Sequence, residues 1–183
     1  MRGKSHTELG RYLIRNYMPH HPQIYTHAFL CGCIEPDRNP LTYLKGSMRF
    51  QWLRGHNYPN TFRFLCRMAR RLEGRKTLSL ADYYTLGKLI HYTADAFTFA
   101  HNEGFPSSIS AHRIYEAQLQ TCFLRYLSSD PHIEIPLPVS IMDGFIHSHQ
   151  AYLQESSGVR TDCIYTVMAC HSVFFLLKSR QLL

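Results

Sequence analysis

Helical spacing runs through almost the whole chain, and no other pattern competes with it. Apolar residues recur three and four apart from Leu9 to Leu177, and no stretch alternates apolar with polar residues over a useful strand length. Internal repeats and low-complexity tracts are absent from the sequence. With 183 residues the chain is long enough to bury a core without disulfide or metal staples. The reading is an all-α, single-domain bundle of six to seven helices over residues 1–183.

Caps and breakers divide the pattern. Ser5-His6-Thr7-Glu8 matches a capping box and predicts a first helix through Leu9, Tyr12, Leu13 and Tyr17, with Pro19 as its stop. Pro22 opens a second helix to about Ile34, before Pro36. Residues 35–59 read as a long, functional loop region holding one short helix near 48–54. Asn60 or Thr61 caps a third helix to about Leu72, and Gly74 suits its C-terminal end. Ser79-Leu80-Ala81-Asp82 opens the next, which runs to about His101 and breaks at Gly104-Phe105-Pro106. Another runs from Ser107–Ser110 to about Leu127. Pro131, Pro136 and Pro138 mark a linker before two last helices, at about 138–156 and 160–181.

Composition excludes several classes. A chain 45% hydrophobic and 18% charged is globular rather than disordered. The longest strongly apolar run, Val173 to Leu177, is far too short to span a membrane. The N-terminus MRGKSHTELGRYLIRNYMPHHP has basic residues but no apolar core or small-residue cleavage site, so it does not read as a secretory signal. The expectation is a cytoplasmic protein whose six cysteines stay reduced; Cys31-Gly-Cys33 fits neither zinc-ribbon nor thioredoxin-like spacing. The formal charge of +7 favours an anionic partner without choosing among nucleic acid, phosphorylated substrate and acidic lipid.

The 12 histidines carry the functional signal, because imidazole is both a metal ligand and a physiological acid or base. His91 and Asp95 stand at i,i+4, with His101 ten residues after His91. On an ideal helix these point to roughly 0°, 40° and −80°, a fan on one side. The following helix repeats the device with His112 and Glu116. These are the only two H-x3-[DE] pairs in the chain, and H-x3-D-x5-H is expected by chance only ~0.03 times in a sequence of this composition. Imidazoles and carboxylates on facing helices suit zinc. An Asp95 among Ile90, Tyr92, Phe97, Phe99 and Ala100 needs a partner or a metal. The bland alternative is a buried hydrogen-bonded pair at His91–Asp95 and a surface ion pair at His112–Glu116. There is no H-E-x-x-H, no E-x-x-H and no His-Asp dipeptide, which argues against the metalloproteases, ferritin-like bundles and helical phosphohydrolases built on those motifs.

The ordered set H-x3-D-x5-H then H-x3-E in an all-helical chain resembles the zinc-dependent phospholipase C family, relatives of the three-zinc P1-type nucleases. Upstream, Phe29-Leu30-Cys31-Gly32-Cys33-Ile34-Glu35-Pro36-Asp37 is similar to the family's apolar-Gly-x-x-x-Pro-Asp segment, and Gly55-His56-Asn57-Tyr58 to its next ligand loop. His6 stands where small members place a histidine on the first helix. The resemblance covers about residues 1–120. It implies two to three zinc ions: one held by Asp37, His56, His91 and Asp95, one by His101, His112 and Glu116, and a third by His6 with Asp95 bridging. Secreted members supply an N-terminal Trp to the third ion, whereas here five residues precede His6 and the only tryptophan is Trp52. Glu at 116 resembles the phospholipases more than the nucleases.

The implied chemistry is hydrolysis of a phosphodiester, a phospholipid among the candidates, with metal-activated water and Asp37 as the catalytic carboxylate that orients or deprotonates it. A P1-type nuclease acting on nucleic acid, and a non-catalytic zinc-binding helical protein, are the alternatives. His27 is a candidate to support the site from behind. Arg63, Arg67, Arg70, Arg71, Arg75 and Lys76 read as a solvated basic face. Phe62, Phe64, Tyr83, Tyr84, Phe174 and Phe175 read as core or homo-oligomer contacts, and the last helix is apolar enough to require burial in this domain or against a second subunit.

Overall fold

The computed structural model describes residues 1–44, 56–102, 104–105, 108–135, 137–155 and 157–183. Among these, seven α-helices and two short 3₁₀ turns form one all-α bundle with no strand: α1 (Gly3–Tyr17), α2 (Gln23–Arg38), α3 (Tyr58–Glu73), α4 (Leu80–Ala96), α5 (Ile109–Ser128), α6 (Ile141–Gln154) and α7 (Val159–Ser179), with 3₁₀ turns at Pro40–Leu44 and Phe99–His101. The short helix expected near 48–54, and Trp52 with it, lie outside the described residues.

α4 is the axis of the molecule. Every residue from Leu89 to Ala96 is buried, because α1, α2, α3 and α7 surround it. It opens at Ser79 as expected from sequence, and does so with a capping box: the Ser79 hydroxyl accepts from the Asp82 N–H while the Asp82 carboxylate accepts from the Ser79 N–H. That carboxylate also receives Arg71 and Arg75 from the end of α3 and beyond, at 2.9 and 3.2 Å. Burial opposes its ionisation, but the Ser79 bonds and the two guanidinium groups hold its pKa down at about 2. Part of the basic face of α3 is therefore tied down, while Arg63, Arg67 and Arg70 remain exposed.

The closest approach in the bundle is between α2 and α4. Gly32 and Gly87 face each other: a Cβ at Gly32 would overlap the Tyr84 carbonyl, and one at Gly87 the Phe29 carbonyl. Bare backbone on both sides brings the C-terminal end of α2 within hydrogen-bond reach of His91. Lys88 and Glu35 pair across the same seam at 2.9 Å.

Several boundaries differ from the sequence expectations. Ser5 does not cap α1: the helix already starts at Gly3 after an Arg2 cap, Ser5 is buried inside it, and Glu8 pairs with Arg11. α2 does not stop before Pro36. It continues to Arg38, because a proline in the last turn removes a single helical hydrogen bond. α3 is capped by Asn57 rather than Asn60 or Thr61, with Pro59 in its first turn. α4 ends at Ala96 rather than His101. α7 buries twelve residues inside the chain, Val167, Val173, Phe174 and Leu177 among them.

Candidate metal centre

Six segments bring the eight candidate residues together. His6 comes from α1, Asp37 from the last turn of α2, and His56 from just before α3. His91 and Asp95 come from α4, His101 from the 3₁₀ turn, and His112 and Glu116 from α5. Three groups result, in each of which one ligand atom per residue lies within 4.8 Å of the others: His6, His91 and Asp95; Asp37, His56 and His91; and His101, His112 and Glu116. His91 belongs to two groups.

Asp95 is the hub, and it is wholly buried. Its Oδ2 lies 3.1 Å from His56 Nδ1 and 3.3 Å from His91 Nε2. Its Oδ1 lies 3.2 Å from His6 Nε2 and 3.7 Å from His101 Nε2. Asp37 Oδ1 sits 3.7 Å from both His56 and His91. Glu116 Oε1 is 3.4 Å from His112 and 3.8 Å from His101. The ammonium of Met1 is drawn into the same place, 2.8 Å from Asp95 Oδ1, 3.1 Å from Glu116 Oε1 and 2.7 Å from His101 Nε2. These contacts draw the chain start inward, so that α1 can begin at Gly3.

His101 reaches the cluster by a break in the helix, not by the ideal-helix fan. Beyond Ala96 the chain turns out of α4, and the 3₁₀ turn brings the ring back toward Asp95.

The electrostatics favour a cation. Burial opposes charge on Asp95, yet the Met1 ammonium and the His101, His91 and His6 rings hold its pKa well below the usual carboxylate range. Burial likewise opposes charge on Glu116, but hydrogen bonds from His101 and His112 outweigh it and keep the group ionised. Burial and the neighbouring His91 push His6 down to about 4, so its ring is neutral. Burial and the Met1 ammonium lower His101 too. The Met1 amine is itself pulled down by burial, but Asp95 and Glu116 carry it up to about 10. The site thus already holds one positive charge among its carboxylates.

The outer nitrogens of the rings support a metal-ligand role. His91 Nδ1–H donates to the Cys33 carbonyl at 2.8 Å, which leaves Nε2 with its lone pair toward Asp37 and Asp95. Thr42 gives its proton to a carbonyl, Pro36 at 2.6 Å or Asn39 at 2.7 Å, so its oxygen accepts from His56 Nε2–H at 3.1 Å. Nδ1 of His56 then faces the carboxylates as an acceptor. Both nitrogens of His6, and Nδ1 of His101, are buried without a hydrogen bond. Neutral imidazole lone pairs and ionised carboxylates aimed at one another are a donor set suited to zinc.

Thr42 and the Cys33 carbonyl were not foreseen from the sequence. A backbone carbonyl has no residue-type signature, and Thr42 gave no signal beyond its place in the loop. His27 is exposed and bonds its own helix at Gln23, so it does not support the site. His149 and His171 are satisfied core residues, held by Ala96 and Asn102 and by Tyr12 and Tyr17.

Comparison with protein families decides the relationship: the zinc dependent phospholipase C family matches residues 5–157 of 183. The chain belongs to the zinc-dependent phospholipase C family. Searches of curated proteins and of solved structures returned no match. Membership brings a phospholipase C-like, zinc-dependent character, and the His, Asp and Glu groups of this centre are its candidate ligands. No helix among the described residues is long and apolar enough to cross a membrane.

Proposed function

We propose that this phospholipase C-like protein is a phosphodiester hydrolase that works with two to three zinc ions. Asp37, His56, His91 and Asp95 hold one ion; His101, His112 and Glu116 hold a second; His6, with Asp95 bridging, holds a third. The observation that carries the reading is the convergence of these eight side chains from six segments, with the rings of His91 and His56 oriented from behind by Cys33 and Thr42. When bound, zinc supplies Lewis-acid stabilisation of phosphate oxygens and a water of lowered pKa.

The residues divide the remaining work by exposure. Asp95 is inaccessible and balances charge from within. Asp37, with about a fifth of its side chain open (22%), is the most accessible of the three carboxylates. It is therefore the one that can orient an attacking water or take its proton. His112, 34% open, lies at the rim on the side of Glu116, where an entering phosphate would meet it. The substrate is a phosphodiester, a phospholipid before a nucleic acid.

Elemental analysis of untagged protein, purified without chelator, comes first; two or three zinc ions per chain are expected. Phosphorylcholine esters, nucleotide esters and single-stranded nucleic acid are then assayed side by side. Asp37→Asn should lower kcat about 10²–10⁴-fold while leaving the helical fold, and the melting temperature measured in chelator, nearly unchanged. A metal-free protein, or a loss confined to stability, would overturn the reading. Preferential cleavage of nucleic acid would move the substrate to the nuclease side.

A further inference from the structure

Behind the His101, His112 and Glu116 group lies another buried carboxylate, Asp162 of α7, which is wholly inaccessible. Among the described residues no ion pair reaches it. Burial raises its pKa, against three hydrogen bonds that favour the ionised form. Its Oδ2 accepts from the Phe99 backbone N–H at 3.0 Å and from the Tyr115 hydroxyl at 2.8 Å. Its Oδ1 accepts from the Tyr152 hydroxyl at 2.8 Å. Core packing alone is better served by an apolar side chain, since a buried carboxylate without a cation is costly.

The donors lie where they matter for the metal centre. Phe99 is the first residue of the 3₁₀ turn that ends at His101, and Tyr115 is the neighbour of Glu116 on α5. One carboxylate oxygen therefore ties together the two segments that must converge for His101, His112 and Glu116 to meet. One turn further along α7, Thr166 donates to the Phe97 carbonyl at 3.3 Å and secures the exit from α4. Asn102 closes the other end of the same stretch, donating to the carbonyls of Ala96 and Thr98 at 2.7 and 3.0 Å.

We propose that Asp162 is a positioning residue of the metal centre: by bonding Phe99 N–H and Tyr115 O–H with one oxygen, it sets the separation of His101 from His112 and Glu116. This rests on the reading of those three residues as metal ligands. Asp162 never touches metal or substrate; it acts on the turn and on α5.

The test is a zinc titration of the full-length chain by calorimetry, paired with cobalt(II) absorption spectra that report ligand geometry. Wild-type protein defines the number of ions, and Glu116→Gln identifies the one held by this group. Asp162→Ala is expected to weaken that same ion about tenfold, the scale seen when a group behind a ligand is removed, and to alter its cobalt spectrum. Asp162→Asn should restore both. Its amide oxygen can still accept from Phe99 and Tyr115, while its NH₂ donates to Tyr152. Tyr115→Phe removes only one tie and carries the same expectation in a smaller degree if Asp162→Ala does not fold. Wild-type affinity and spectrum in both Asp162→Ala and Tyr115→Phe, with only the melting temperature reduced, would overturn the proposal. Loss of every ion already in the wild type would instead overturn the metal reading on which it rests.

Discussion

Single side chains divide into those aimed at the centre and those that only look as though they are. His149 and His171 share the composition signal of the candidate ligands, but Nε2 of His149 is engaged by Ala96 and Asn102 and both ring nitrogens of His171 by Tyr17 and Tyr12, and burial drives both down to about 4. A depressed histidine has a definite consequence for stability. The unfolded chain takes up a proton near pH 6.5, while the folded ring resists until about 4. The contribution is therefore complete above pH 6.5 and is lost as the pH falls toward 4, with a slope of about 1.4 kcal/mol per pH unit for each ring. Thermal melting between pH 7 and 4 should show this decline. His171→Phe should melt lower at pH 7, because the hydroxyls of Tyr12 and Tyr17 lose their partner, yet fall less steeply with acid. An unchanged slope would contradict burial as the cause. At this scale spacing to a carboxylate separated His91 and His112 from the other histidines, and both lie in the candidate metal groups. It could not show which nitrogen of each ring faces inward, because that depends on the Cys33 carbonyl and Thr42.

Elements decide whether the ligands can meet. α2 and α4 lie close enough for His91 to reach Cys33 only because Gly32 and Gly87 present no side chain at the crossing. Gly32→Ala would push a methyl group into the Tyr84 carbonyl, with no flexible side chain to give way. We expect a loss of about 1–3 kcal/mol in urea unfolding, the usual cost of overpacking. Weaker zinc binding should accompany it, since Asp37 and His91 sit on the two helices being separated. A variant of wild-type stability would show that the helices slide apart freely. The helices were legible in sequence, as was the opening of α4 at Ser79. Their ends were less so. The apparent box at Ser5 lost to contacts that draw Met1 toward Asp95 and Glu116. Pro36 read as a stop because local rules count its missing N–H, not the packing of α2 on α4 that keeps the turn formed.

Across the whole molecule, the centre joins α1, α2, α4, α5 and the start of α3, so an ion bound there bridges elements far apart in the chain. Ligation must then couple to global stability by mass action. Free zinc at a hundred times its dissociation constant should add about 2.7 kcal/mol per independent site, and chelator should lower the melting temperature correspondingly. If melting is indifferent to chelator, the ligands do not hold a metal under those conditions. Such coupling is compatible with a core that is largely apolar elsewhere: Leu9, Leu13, Phe29, Leu65, Leu86, Phe123 and Phe174 are all fully buried.

By itself the sequence determined the helical class, the approximate helix count and the identity of eight chemically suited residues. The helices are written in apolar residues three and four apart, and His91, Asp95, His101, His112 and Glu116 in their mutual spacing, whereas His6, Asp37 and His56 were implied by the family resemblance. Tertiary structure alone decided how the eight converge. The exit of the chain from α4 at Ala96, the crossing at Gly32 and Gly87, and the carboxylate of Asp162 behind Phe99 and Tyr115 are contacts between residues remote in sequence. Local periodicity carries no record of them, because a backbone carbonyl, a missing Cβ and a buried hydrogen bond leave no repeating pattern to read.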